Sequence, residues 1–154
     1  MRRGGPEGGG PSPEERGSAV VELIWLGILL LVPVLWIVLS VFEVQRGAFA
    51  TSGAARAAGR AFVLAPDAAA GHARAQAVAG QSLADQGVPD QPWRLTVSCA
   101  PVPSDCHRAG SVVTVVVHSR VDLPLLPEAL GGDAPSFALT ASHTVPVGQF
   151  RDVP

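Results

Sequence analysis

The chain has 154 residues, a formal charge of −2 and two cysteines, which leaves room for one small domain beside a membrane segment and none for a second, catalytic domain. All eleven basic residues are Arg, while Lys, Asn and Tyr are absent, a bias that looks like GC-rich coding and is not read as function. The near-neutral charge gives no basic footprint for nucleic acid, and that class is set aside.

Residues 1–16 are rich in Gly, Pro and Glu and can bury little, so residues 1–17 are expected to be a disordered leader or cytoplasmic tail. Behind Glu22 come twenty uncharged residues, 23–42, opening on Leu23 and closing on Phe42. At a rise of about 1.5 Å per residue, a helix of that length spans the roughly 30 Å hydrocarbon layer of a bilayer. Pro33 falls mid-span, removes one backbone donor and is read as a bend without a role of its own. Gly27 has no small partner four residues away, so it makes no GxxxG face, and Trp25 and Trp36 are read as packing residues. The run exceeds the roughly 7–15 apolar residues of a cleaved secretory signal, yet Ala48-Phe49-Ala50 has the form of a signal-peptidase site and keeps a secreted reading open.

Glu22 stands at the lip of the apolar run, where a carboxylate is costly unless partnered. Its alternative is to face headgroups, favoured by the positive end of the helix. The stretch Arg16-Gly17-Ser18-Ala19-Val20-Val21-Glu22 resembles the processing site of type IV pilins and, more closely, that of the TadE-like minor pseudopilins of the Flp/Tad pilus machinery. The resemblance covers roughly residues 16–60 and includes the small-residue and arginine stretch 54–60. It implies that a prepilin peptidase cuts after Gly17, that Ser18 becomes the new N-terminus, and that Glu22, then fifth, neutralises the α-ammonium of a neighbouring subunit. Leu23 departs from the pattern, because Flp-type pilins commonly carry an aromatic residue after the glutamate. Implied partners are other pilins or pseudopilins, a prepilin peptidase, an inner-membrane pilus assembly platform and the lipid bilayer.

Residues 43–64 continue in good helix formers, so one transmembrane and stalk helix is expected over 18–64. Ala50, Ala54, Ala57 or Ala58, and Ala61 give it a smooth side on which another backbone could approach closely, useful in a bundle of stalks, although biased composition explains the alanine count at least as well. Arg56 and Arg60 share a face and are read as solvated or headgroup-facing. Pro66 ends or bends the helix, and Asp67 is placed to cap a second one over residues 68–86, stopped by Gly87 and Pro89. That helix carries a weak apolar face and is expected to pack on a sheet.

Three strands follow: 93–99, alternating apolar and polar; 111–121, almost wholly β-branched; and 137–145, where Phe137, Leu139, Ala141, His143 and Val145 share one side. Between the second and third lies a long connection with three prolines and the turn Gly131-Gly132-Asp133. Cys99 and Cys106 form one disulfide in an oxidising compartment, worth about 2.5 kcal/mol by the chain-entropy estimate, and stay reduced in the cytosol. Positive-inside counting is nearly a tie, with Arg2, Arg3 and Arg16 before the span and Arg46, Arg56 and Arg60 after it. The short leader, the β-rich distal part and the pilin resemblance favour a cytoplasmic N-terminus and an extracytoplasmic domain over 65–154.

Cys99, Cys106 and His107, with His118 and His143, fit none of the structural zinc spacings. Ser104-Asp105-Cys106-His107 lines up suggestive residue types, but a catalytic triad converges from a scaffold and is seldom made of sequence neighbours. Phosphate-loop, dinucleotide and nucleophile-elbow motifs are missing, so no enzymatic role and no cofactor are expected. The expected fold is α+β and membrane-anchored: an N-terminal transmembrane helix continuing into a stalk, then a second helix packed on a small three-stranded antiparallel sheet. The expected function is a pilin-like structural or assembly subunit. Its rivals are an uncleaved single-pass envelope protein with an extracytoplasmic binding domain, and a small secreted hydrolase cut after Ala50.

Overall fold

The computed structural model describes residues 13–123 and 135–149, with side chains from residue 19 onward. Helix α1 runs over Pro13–Val63, 51 residues without a break. Proline suits the first helical position. The helix therefore begins ahead of Ser18, inside the expected leader, whose residues 1–12 lie outside the described residues. Pro33 is held within α1. Asp67 takes extended backbone and its Oδ1 accepts from the Ala70 amide at 2.8 Å, which caps α2, Ala68–Asp85. Gly87, at φ 74°, turns the chain away from α2 in a conformation that costs glycine little.

The strands are β1, Trp93–Ala100; β2, Val112–Asp122; and β3, Ser136–Pro146. They form an antiparallel meander in the order β1-β2-β3, with Leu95 opposite Val117 and Val117 opposite Ala141. The turn expected at Gly131-Gly132-Asp133 lies outside the described residues.

The described residues up to Val38 form one compact unit and those from Leu39 onward a second. In the first unit α1 is alone. In the second, the rest of α1 and α2 share one face of the sheet, the α+β arrangement. Val113, Val115 and Val117 of β2 are fully buried with Ala50, Ala54, Ala58 and Phe62 of α1 and Ala75, Ala79 and Leu83 of α2.

The register between α1 and the sheet follows from a few contacts. A Cβ on Gly47 would strike Val121 and Leu139, Thr51 bonds Ser119, and a Cβ on Gly59 would meet Val145 at 3.1 Å and Val115 at 3.8 Å. Twelve helical residues cover about 18 Å and six strand residues about 20 Å, so α1 lies nearly along the strands, parallel to β3 and antiparallel to β2. Helix α2 returns along α1 in the opposite sense, with Gly71 against the Phe62 ring and Ser82 and Gln86 beside Gly53.

Candidate functional site

The apolar surface of α1 comes first, because it is what the sequence spends twenty residues on. Leu23, Ile24, Trp25, Leu26, Leu29, Leu30 and Leu31 are all exposed, and no stripe of the helix between residues 23 and 35 is covered. In its most apolar 18-residue stretch only 6% is buried, which separates it from the core helix of a soluble fold. A Leu, Ile, Val or Phe side chain left in water forgoes about 1.5–3 kcal/mol, so this surface calls for an apolar surrounding. The helix fits a membrane anchor.

Pro33 lacks the amide that would bond the Leu29 carbonyl one turn back. A Cβ on Gly27 would meet no atom within 4 Å. At the far end Phe42 is 64% exposed, so the apolar surface continues to the last residue of the run.

Glu22 is exposed on α1, and among the described residues its carboxylate forms neither an ion pair nor a hydrogen bond. Gly17 and Ser18 are helical, one turn before it. Ser18 and Glu22, four residues apart, lie on one face of the helix, about 6 Å apart along its axis.

The alanine stripe admits the close approach expected of it, and the elements that approach are the chain's own. Ala50, Ala54 and Ala58 are fully buried in the core of their own domain, and Ala57 and Ala61 are partly covered. Small side chains do bring backbones close here, but the partner is the chain's own sheet and second helix, not another stalk. Ala48-Phe49-Ala50 lies inside the same helix, and a chain beginning at Thr51 would lack Gly47 and Ala50, both in the packed interface. Arg56 and Arg60 are exposed, and Arg56 bonds Ser52 on its own helix.

Cys99 and Cys106 form a disulfide with Cα atoms 5.3 Å apart, tying the end of β1 to the loop before β2. The next residue, His107, stacks on Phe62 at a ring separation of 5.0 Å, and its Nε2 lies 3.1 Å from the Phe62 carbonyl oxygen. His72 meets the same phenyl ring edge-on at 5.1 Å. The row Ser104-Asp105-Cys106-His107 therefore does not converge as a nucleophile and its base: the sulfur is bonded and the imidazole is committed to a backbone carbonyl. His143 is half-buried and faces Gly59, and His118 Nδ1 lies 3.1 Å from Thr140 Oγ1 on the open face of the sheet. Among the described residues no three His, Cys, Asp or Glu side chains gather as a metal site would require.

Two arrangements escaped sequence reasoning because their members are distant in the chain. One is the Phe62 ring between His72 and His107. The other is a cleft of about 300 Å³ on the open face of the sheet, lined by Arg94, His118, Arg120 and Thr140 among others. Strand alternation places all four on one face, but only the register makes them neighbours.

Comparison with family models, with curated proteins and with solved structures returns no match. The fold and this surface define the class as an α+β protein with one long apolar N-terminal helix that fits a membrane anchor and a disulfide-closed domain.

Proposed function

We propose that the protein is a structural or assembly subunit of a Tad/Flp-type pilus, resembling the TadE-like minor pseudopilins, processed after Gly17 and associated through its hydrophobic helix with Glu22 as the charge partner. One observation carries the reading: the apolar residues of α1 between Leu23 and Leu35 belong to no core of their own. Lipid and the helices of other subunits are the two surroundings that take up such a surface. Cleavage at Gly17 would make an α-ammonium, and a carboxylate of another subunit pairs with it at far lower cost than either charge bears alone among lipid tails. In this topology the N-terminus is cytoplasmic and residues 65–154 are extracytoplasmic, where a disulfide persists. Other pilins or pseudopilins, a prepilin peptidase and an inner-membrane assembly platform are the partners.

The test is the intact mass of the chain from its native membrane, followed by Glu22→Ala. A mature chain starting at Ser18, and a variant that inserts normally but no longer enters fibres, are expected. A start at Met1 with unimpaired assembly of the variant overturns the proposal.

A second reading, an uncleaved single-pass envelope protein with an extracytoplasmic binding domain, is favoured by the helical state of Gly17 and Ser18. Proteases act on opened backbone, and here the first turns would have to unwind before cutting. Its signature is a chain that retains Met1.

A further inference from the structure

On the face of the sheet turned away from the helices, Arg94 of β1 pairs in register with His118 of β2, and His118 with Thr140 of β3. Arg120 follows two residues after His118 and so stands diagonally across from Arg94 on the same face. These four side chains line the cleft of about 300 Å³, together with the strand ends at Trp93 and Ala138. Among the described residues neither guanidinium has an ion-pair or hydrogen-bond partner. Glu43, Asp90 and Asp122 border a second cleft that Arg120 also lines, yet none of them approaches it to ion-pair distance. Two guanidinium groups on neighbouring strands repel, and an oxyanion between them would reverse the sign of that interaction. Arginine offers its N–H groups in a planar fork that matches two oxygens of a phosphate, and the Thr140 hydroxyl and His118 ring add adjacent polar atoms.

The position of the cleft narrows the source of the anion. It lies where β1 begins and β2 ends, the end of the sheet at which Val121 and Leu139 pack on Gly47 of α1. Phe42, which closes the apolar run, precedes Gly47 by five residues, about 7.5 Å along the helix axis. Phe137 is 55% exposed at the same end of the sheet, and Phe49 is 70% exposed on α1 just beyond Gly47. Both rings lie on the helix side of the sheet and the arginines on the other, and apolar rings together with arginines at one end of a domain suit the boundary between hydrocarbon and anionic headgroups.

We infer that Arg94, His118, Arg120 and Thr140 form a binding site for a phosphate group, supplied by the headgroups of the bilayer in which α1 is anchored. The assignment to lipid rests on the membrane reading above, whereas the affinity for phosphate does not. The site holds the end of the sheet to the headgroup layer.

The test uses the full chain in a nonionic detergent, with the arginine side-chain and His118 ring resonances followed by NMR. Three probes are titrated: dihexanoyl phosphatidylglycerol, dihexanoylglycerol, which lacks the phosphate, and inorganic phosphate. Saturable shifts at Arg94, His118 and Arg120 are expected with the phospholipid and none with the diacylglycerol. The double variant R94Q/R120Q should weaken binding about tenfold or more, the equivalent of about 1.4 kcal/mol, while its strand resonances stay dispersed. Absence of saturable shifts with both phosphate-bearing probes, or unchanged binding by the double variant, overturns the site. Inorganic phosphate binding as tightly as the phospholipid overturns the lipid assignment alone. Extraction of native membranes at alkaline pH tests the anchor separately, so an integral chain with a silent cleft sinks this inference and leaves the membrane reading standing.

Discussion

Thr51 has a single hydroxyl hydrogen, and its Oγ1 lies 2.7 Å from the Gly47 carbonyl oxygen, which can only accept. The 2.6 Å contact with Ser119 must then be donated by Ser119. Both residues are buried, so the pair forms a directed chain from strand to helix in a place without water. Thr51→Val leaves the Ser119 hydroxyl without its acceptor and should cost about 1–3 kcal/mol. Adding Ser119→Ala removes the stranded group, so the double variant should unfold closer to the wild type than Thr51→Val alone. Denaturant unfolding of the four proteins checks this, and strictly additive losses would contradict it. The same logic places a hydrogen on His107 Nε2, which donates to the Phe62 carbonyl oxygen. Sixty-eight residues separate Thr51 from Ser119, and no spacing rule in the sequence joins them.

A helix that carries Gly47, Gly53 and Gly59 within thirteen residues gives up about 1 kcal/mol at each relative to alanine, so something else must hold it. At Gly47 and Gly59 the compensation is proximity, because the missing side chain is where β2 and β3 lie. Gly47→Ala should destabilise the domain by about 1–3 kcal/mol in spite of its better helix propensity, since the added methyl displaces Val121 or the helix itself. Gly27→Ala meets no atom within 4 Å and should leave unfolding of the domain unchanged. Thermal unfolding followed by far-ultraviolet circular dichroism in detergent compares the two. Equal midpoints for both variants would show that the close approach of α1 to the sheet does not contribute to stability. At this scale the second half of α1 supplies one wall of the domain core.

For the molecule as a whole, the disulfide reports on stability and on compartment together. It closes a short loop, with a sequence separation of 7, and chain entropy credits it with about 2.5 kcal/mol. Cys106 also packs against the core, so the loop it anchors brings His107 onto Phe62. Under the proposed topology, thiol reagents should find no reactive cysteine in protein taken directly from its native membrane and two after reduction. The variant C99S/C106S should lose roughly the loop-closure energy in denaturant. Free thiols in the native material would place the domain in a reducing compartment and reverse the orientation.

Element types and their order were legible because they depend on neighbours in the chain. Twenty uncharged residues can only be housed by an apolar solvent or core, Asp67 behind Pro66 starts a helix, and alternation in 93–99 and β-branching in 111–121 mark strands. Cys99 and Cys106, close in the chain, read as one bridge on the condition of an oxidising compartment, and the structure bonds them. What the alanines of α1 face, which two glycines admit a sheet, and that Arg94, His118, Arg120 and Thr140 share one cleft were settled by tertiary structure alone. Each depends on strand register and on the line α1 takes across the sheet, and these are set by the whole set of packed side chains rather than by any local run.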